Sequence, residues 1–235
     1  MQKLNATNLD IIAFDADDTL WVNETFYRNM ENKFCDFLSD FGTPAYISAE
    51  LFKTEVANLS LYGFGAKAFV LSNIETFIRI AGNKTTPAQI QKILDLGKEL
   101  VDMPMELLDG VNEVLQKLSS KYKLVVATKG DLLDQERKLR KSGLEKYFHH
   151  IEIMSDKKTS DYEKMFDRLS CDPSKLMMIG NSMKSDIMPI LELGGYGVYV
   201  PFHTVWAHEV ADDKIEHPRL YKINHITELS SIIDY

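Results

Sequence analysis

The segment Asp15-Ala16-Asp17-Asp18-Thr19 places three carboxylates within four residues, directly after a short apolar run over residues 9–14. Asp15 and Asp17 stand two apart, so in extended chain both face the same side. Carboxylates that close repel, and one keeps its proton unless a cation intervenes. A magnesium ion held by carboxylate oxygens and water removes the repulsion and also neutralises a phosphate. The chemistry open to such a segment is metal-assisted phosphoryl transfer, with one carboxylate as nucleophile and another exchanging the proton. An acidic turn capping a helix is the plain alternative, but three acids at the end of a buried strand are a costly way to build one.

These acids need a scaffold that presents them. The run over residues 9–14 has the length and apolar content of a strand buried on both faces. From residue 23 to about 103 the pattern turns helical. Phe26, Met30, Phe34, Phe37, Leu38 and Phe41 fall on one stripe, which Gly42 and Pro44 close. Further helices are expected over residues 48–59, 66–80 and 87–101, the last with Thr86 as N-cap and Pro87 in its first turn. Beyond residue 103, helices over 111–118, 132–141, 161–169 and 185–193 alternate with strands over 123–127, 150–154, 175–179 and 197–200. That rhythm indicates a parallel sheet covered on both faces. The fold class is α/β: a Rossmann-like parallel sheet core, residues 1–22 and 104–235, with an all-helical domain, residues 23–103, inserted after the first strand.

Ligands of such sheets bind outside the carboxyl ends of the strands. Those ends carry Asp15 and Asp17, then Thr128-Lys129-Gly130, then Lys157 and Lys158, then Gly180-Asn181-Ser182 with Asp186 close behind. A lysine there could hold both nucleophile and phosphate, and a threonine could donate a hydrogen bond to a phosphoryl oxygen. Lys157 and Lys158 are both candidates, with a slight lean to Lys158. The segment 201–209, which contains His203, Trp206, His208 and Glu209, follows the last core strand. It could overhang the catalytic cleft and touch the helical insertion or substrate, but a packed loop anchored by Trp206 is the favoured reading, and the spacing of its histidines is not that of a helical metal face.

Taken in order, DxDxT after a first strand, a small hydroxylated residue after the second, a lysine and a late acidic motif resemble the haloacid dehalogenase superfamily along the whole chain. The resemblance implies that the helical insertion is a cap domain. It further implies that Asp15 attacks phosphorus to give an aspartyl-phosphate, and that Asp17 protonates the leaving group and then activates water. Asp15, the backbone carbonyl of Asp17 and Asp186 would bind Mg2+. Asn181 stands where an aspartate often does and would reach the metal through water. Thr128, with the Lys129 or Gly130 backbone, would hold the phosphate. Asp18 stands where many members have glycine, and is grouped with these phosphate-side residues. Members that remove halide lack an acid two residues after the nucleophile, so Asp17 favours phosphate over halide.

The 235 residues are 45% apolar and 26% charged, with a formal net charge of -8, as in an ordinary soluble globular protein. The acidic balance argues against nucleic acid or an anionic membrane surface as partner. Two cysteines without CxxC spacing and no apolar leader in residues 1–10 point to the cytoplasm. The expected activity is that of a magnesium-dependent phosphomonoesterase acting on a small phosphorylated metabolite. A sugar-phosphate phosphomutase is the alternative, and a non-enzymatic phospho-receiver or metal-binding protein a more distant one.

Overall fold

The computed structural model describes residues 9–211 and 214–233; most of the segment 1–10 lies outside them. One parallel sheet organises the α/β part. Its strands are β1 (Ile11–Phe14), β2 (Lys123–Lys129), β3 (His150–Met154), β4 (Leu176–Gly180), β5 (Tyr196–Tyr199) and β6 (Leu220–Lys222). They lie in the order β3-β2-β1-β4-β5-β6. β1 is central, with Ile12 opposite Leu124 on one side and Met177 on the other.

Side chains that alternate between two buried faces explain why the central strands β1 and β4 are apolar throughout. Ile12, Phe14, Leu124, Val126, Met177 and Ile179 pack on one face with Val111, Val114, Leu115 and Leu118. Ile11, Ala13, Val125, Ala127, Leu176 and Met178 pack on the other with Tyr162, Met165 and Phe166.

Four helices follow β1: α1 (Glu24–Phe37), α2 (Pro44–Tyr62), α3 (Ala66–Ala81) and α4 (Pro87–Val101). The expected aromatic stripe supplies their core. Met30, Phe34 and Leu38 are buried with Ile47, Leu51, Phe69, Phe77, Ile93 and Leu100, and each such side chain contributes about 1.5–3 kcal/mol by leaving water. α2 begins four residues before the expected start. Thr43 accepts from the Tyr46 amide as N-cap and Pro44 fills the first turn, a start signal that had been read as the stop of α1. By compactness, Asn23–Pro104 and Gly130–Asp134 form one unit. The chain up to Val22, Met105–Lys129 and the chain from Gln135 onward form the other.

Helices α5 (Val111–Leu118), α6 (Leu132–Ser142), α7 (Thr159–Leu169) and α8 (Met188–Glu192) complete the α/β alternation. Two further departures from the sequence reading bear on the sheet and the site. β6 was not anticipated, because three residues with only two apolar side chains give no usable period. The helix expected over 185–193 starts as a π-helical turn, Met183–Ile187, before α8; such turns gather at functional sites.

Candidate active site

β1 ends at the crevice where strand order reverses between β1 and β4, the usual ligand position in open α/β sheets. The Asp15 amide donates to the Ile179 carbonyl at 2.8 Å, continuing the β1–β4 ladder one residue past the strand. The chain then turns sharply. Asp18 has φ of 62° and donates its amide to the Trp21 carbonyl at 2.7 Å. Thr19 ties the turn to β4: its hydroxyl donates to Asp15 Oδ2 at 3.1 Å and accepts from the Asn181 amide at 3.1 Å.

The turn explains Asp18. Its left-handed backbone is open to glycine and, among other residues, chiefly to Asn and Asp, and its side chain is buried. Beside the expected grouping with phosphate-side residues, the turn gives Asp18 a conformational role. Asp18→Val is expected to lower stability by about 1–2 kcal/mol more than Asp18→Gly. Urea denaturation of the two variants measures this, and equal midpoints would contradict it.

The lysine at the end of β3 is Lys157. Its side chain is 1% exposed, and its Nζ donates to Asp15 Oδ1 at 2.5 Å and to Asp186 Oδ1 at 2.6 Å. Lys158 points elsewhere. Its side chain is 74% exposed, pairs with Asp156 at 3.0 Å and stands at the N-cap of α7. The lean to Lys158 is thus corrected: adjacent residues entering a helix leave in different directions, and only the first is turned inward. Asp186 is fixed on its other oxygen by the Ser182 amide at 2.9 Å. A Cβ on Gly180 would lie 2.3 Å from Asp186 Oδ2, so only glycine at the end of β4 leaves room for that carboxylate.

Burial, then the neighbouring Asp186 carboxylate, pushes the Asp15 carboxyl up to about 7 against the pull of Lys157. Burial works against the Lys157 ammonium, but Asp15 and Asp186 outweigh it and hold it well above the ordinary lysine range. Two buried carboxylates around one ammonium leave surplus negative charge.

Asp17 is held by a separate set of donors. Its Oδ1 accepts from Trp21 Nε1 at 2.7 Å and Lys138 Nζ at 2.9 Å; its Oδ2 accepts from Gln135 Nε2 at 2.8 Å and Lys138 Nζ at 3.1 Å. Sequence reasoning missed Gln135 and Lys138. The available signal was their spacing of three on α6, which puts both on one face, beside the buried Leu139.

Thr128 is buried at the end of β2, level with Ile153 of β3. Gly130 follows with φ of 137°. Lys129, expected to act through its backbone, also uses its side chain: Nζ pairs with Glu209 at 2.6 Å and donates to the Ser185 hydroxyl at 2.9 Å. Glu209, in the segment read as a packed loop, accepts from the Ser182 and Ser185 hydroxyls at 2.6 Å each. Burial pushes its carboxyl upward, but Lys129 and the two serines outweigh that and bring it down to about 2.

Among the described residues no three His, Cys, Asp or Glu side chains converge as a ready metal cage. The donors present are sparser and all oxygen: Asp15, Asp186, the Asn181 side chain and the Asp17 carbonyl. Asp15 and Asp186 already meet at one cation, the Lys157 ammonium. Few carboxylates around surplus negative charge suit Mg2+ better than a metal that needs a full protein cage.

Residues 9–194 match the family model for haloacid dehalogenase-like hydrolases, a match that stops before the 201–209 segment. Comparison with curated proteins found no significant sequence match. The structure is similar to a haloacid dehalogenase-like family hydrolase from Xanthomonas campestris, with TM-score 0.87 and 32% identity over 98% of this chain and 92% of that one. A putative HAD-hydrolase, YfnB, from Bacillus subtilis, bound to magnesium, has TM-score 0.64 and 17% identity over 97% and 100% of the two chains. A 2-haloacid dehalogenase from Pseudomonas syringae has TM-score 0.62 and 16% identity over 95% and 97%. At those lower identities the likeness is one of fold.

Proposed function

Since the chain belongs to the haloacid dehalogenase-like hydrolases, we propose that it is a magnesium-dependent phosphomonoesterase acting on a small phosphorylated metabolite. The observation that carries this reading is Asp17, a second acid two residues past Asp15, held by Trp21, Gln135 and Lys138. A departing halide is a stable anion and needs no proton, whereas an alcohol leaving phosphorus does. A second acid beside the nucleophile suits ester cleavage, and the donors that hold its carboxylate have to release it for it to carry the proton.

In this reading Asp15 attacks phosphorus, the P–O bond to the alcohol breaks, and Asp17 gives the departing oxygen its proton. Water then attacks the aspartyl-phosphate, with Asp17 taking its proton back and Asp15 released. Lys157 orients Asp15 and meets the incoming phosphate, while Thr128 donates to a phosphoryl oxygen. Asp15, Asp186, the Asp17 carbonyl and Asn181 would hold Mg2+, which would supply charge that offsets the phosphate.

Among the described residues no helix is long and apolar enough to cross a membrane. Cys35 and Cys171 are both free thiols, which suits the reducing cytoplasm where we place the protein.

The test runs two assays side by side. One follows phosphate release from p-nitrophenyl phosphate and a set of phosphorylated metabolites, with magnesium and with chelator. The other follows chloride release from 2-chloropropionate. Phosphate release that needs magnesium, without chloride release, is expected. Chloride release, or phosphate release indifferent to chelator, would overturn the assignment.

A further inference from the structure

We infer that Glu209 is a positioning residue for the metal-binding carboxylate Asp186, acting through Ser182 and Ser185; the inference rests on the magnesium reading above. Glu209 lies in the segment that follows β5, far in sequence from the turn it engages. Its Oε2 accepts from both serine hydroxyls at 2.6 Å, and its Oε1 meets Lys129 at 2.6 Å. Lys129 closes the set by donating to the Ser185 hydroxyl at 2.9 Å. One carboxylate thus grips both ends of a turn at the end of β4 and a cation at the end of β2.

That grip continues to the metal side. The Ser182 hydroxyl, while donating to Glu209, accepts from the Ser185 amide at 2.9 Å. The Ser182 amide donates to Asp186 Oδ2, and the Asp186 amide donates back to the Ser182 carbonyl, both at 2.9 Å. Tyr162 fixes the turn from below, its hydroxyl donating to the Ser185 carbonyl at 3.0 Å. The Asp186 carboxylate is therefore held between Lys157 on Oδ1 and the Ser182 amide on Oδ2, and Glu209 fixes, through the two serine hydroxyls, the turn that carries that amide. A π-helical turn is an uncommon conformation that needs outside support, and Glu209 provides it. Groups that orient a metal ligand in this way tune affinity for the ion.

The experiment titrates MgCl2 into the full-length protein by calorimetry, with thermal unfolding in chelator as the structural control. Glu209→Ala is expected to weaken magnesium binding about 10-fold, with kcat at saturating magnesium changed less than about threefold. The double variant Ser182→Ala/Ser185→Ala leaves the Glu209–Lys129 pair in place and is expected to weaken binding similarly. It carries the test alone if Glu209→Ala does not fold. Wild-type affinity in either variant would overturn the inference. Asp186→Asn is expected to abolish binding. A wild-type protein that binds no magnesium, or an Asp186→Asn variant that binds it unchanged, would overturn the metal reading itself and the inference with it.

Discussion

Asp15→Asn is expected to reduce magnesium-dependent p-nitrophenyl phosphate turnover by at least about 10^4-fold, the scale on which loss of a covalent nucleophile is felt. The amide is isosteric and still accepts from Thr19, which now donates to Asp15 Oδ2 at 3.1 Å. Lys157 keeps its second partner, Asp186, at 2.6 Å. The variant should therefore fold, and its circular dichroism should match that of the wild type. Turnover vanishes for a chemical reason: a carboxamide has no anionic oxygen with which to attack phosphorus. Mass spectrometry of rapidly quenched enzyme should find a phosphoryl group on Asp15 in the wild type and none in the variant. Undiminished turnover in Asp15→Asn would remove Asp15 as the nucleophile.

Lys157→Met should damage stability and activity together. The ammonium lies between two carboxylates that are themselves buried, Asp15 at 6% and Asp186 at 1% exposure. Its removal leaves both without their cation, and breaking a buried ionic contact from one side costs about 3–5 kcal/mol. Without Lys157 the Asp15 carboxylate also loses the hydrogen bond that aims it, so a fall in kcat of about 10^2–10^3-fold accompanies the loss of stability. Lys158→Met, by contrast, removes only a solvated pair with Asp156 and should leave both quantities as they are. Chemical denaturation and steady-state kinetics on the two variants decide between neighbouring lysines. The opposite ranking would return the role to Lys158.

The two lysines also mark where sequence reasoning stops. The central strands β1 and β4 were readable because each is an unbroken apolar run ending in polar residues, as in Leu176–Gly180 followed by Asn181 and Ser182. Of the candidate site residues only Asp15 directly follows such a run; Thr128 lies within β2 and Asp186 in the π-helical turn beyond β4. Residues 155–158 have no repeating conformation, so nothing in their spacing tells which side chain turns inward. Gln135 and Lys138 were hidden because a helix with polar residues on a buried face looks like a solvated helix until its partner, Asp17, is in view. Glu209 was hidden because its partners are separated from it by β5 and the loop beyond. The conformational role of Asp18 did not read because no side-chain pattern reports φ.

The central position of β1 also has a consequence for how the molecule is made. Ile11 pairs with Lys123 and with Leu176, so roughly a hundred residues or more must emerge from a ribosome before either neighbour exists. At about 5–20 residues per second that takes several seconds. The helices α1–α4 are built from contacts close in sequence and can close within that interval. The four-residue strand Ile11–Phe14, apolar along its whole length, has no such option. It must stay solvated or be shielded by a chaperone until β2 arrives. In the nascent chain, the strand that precedes Asp15 waits for its first partner while the four helices that follow it are already able to form.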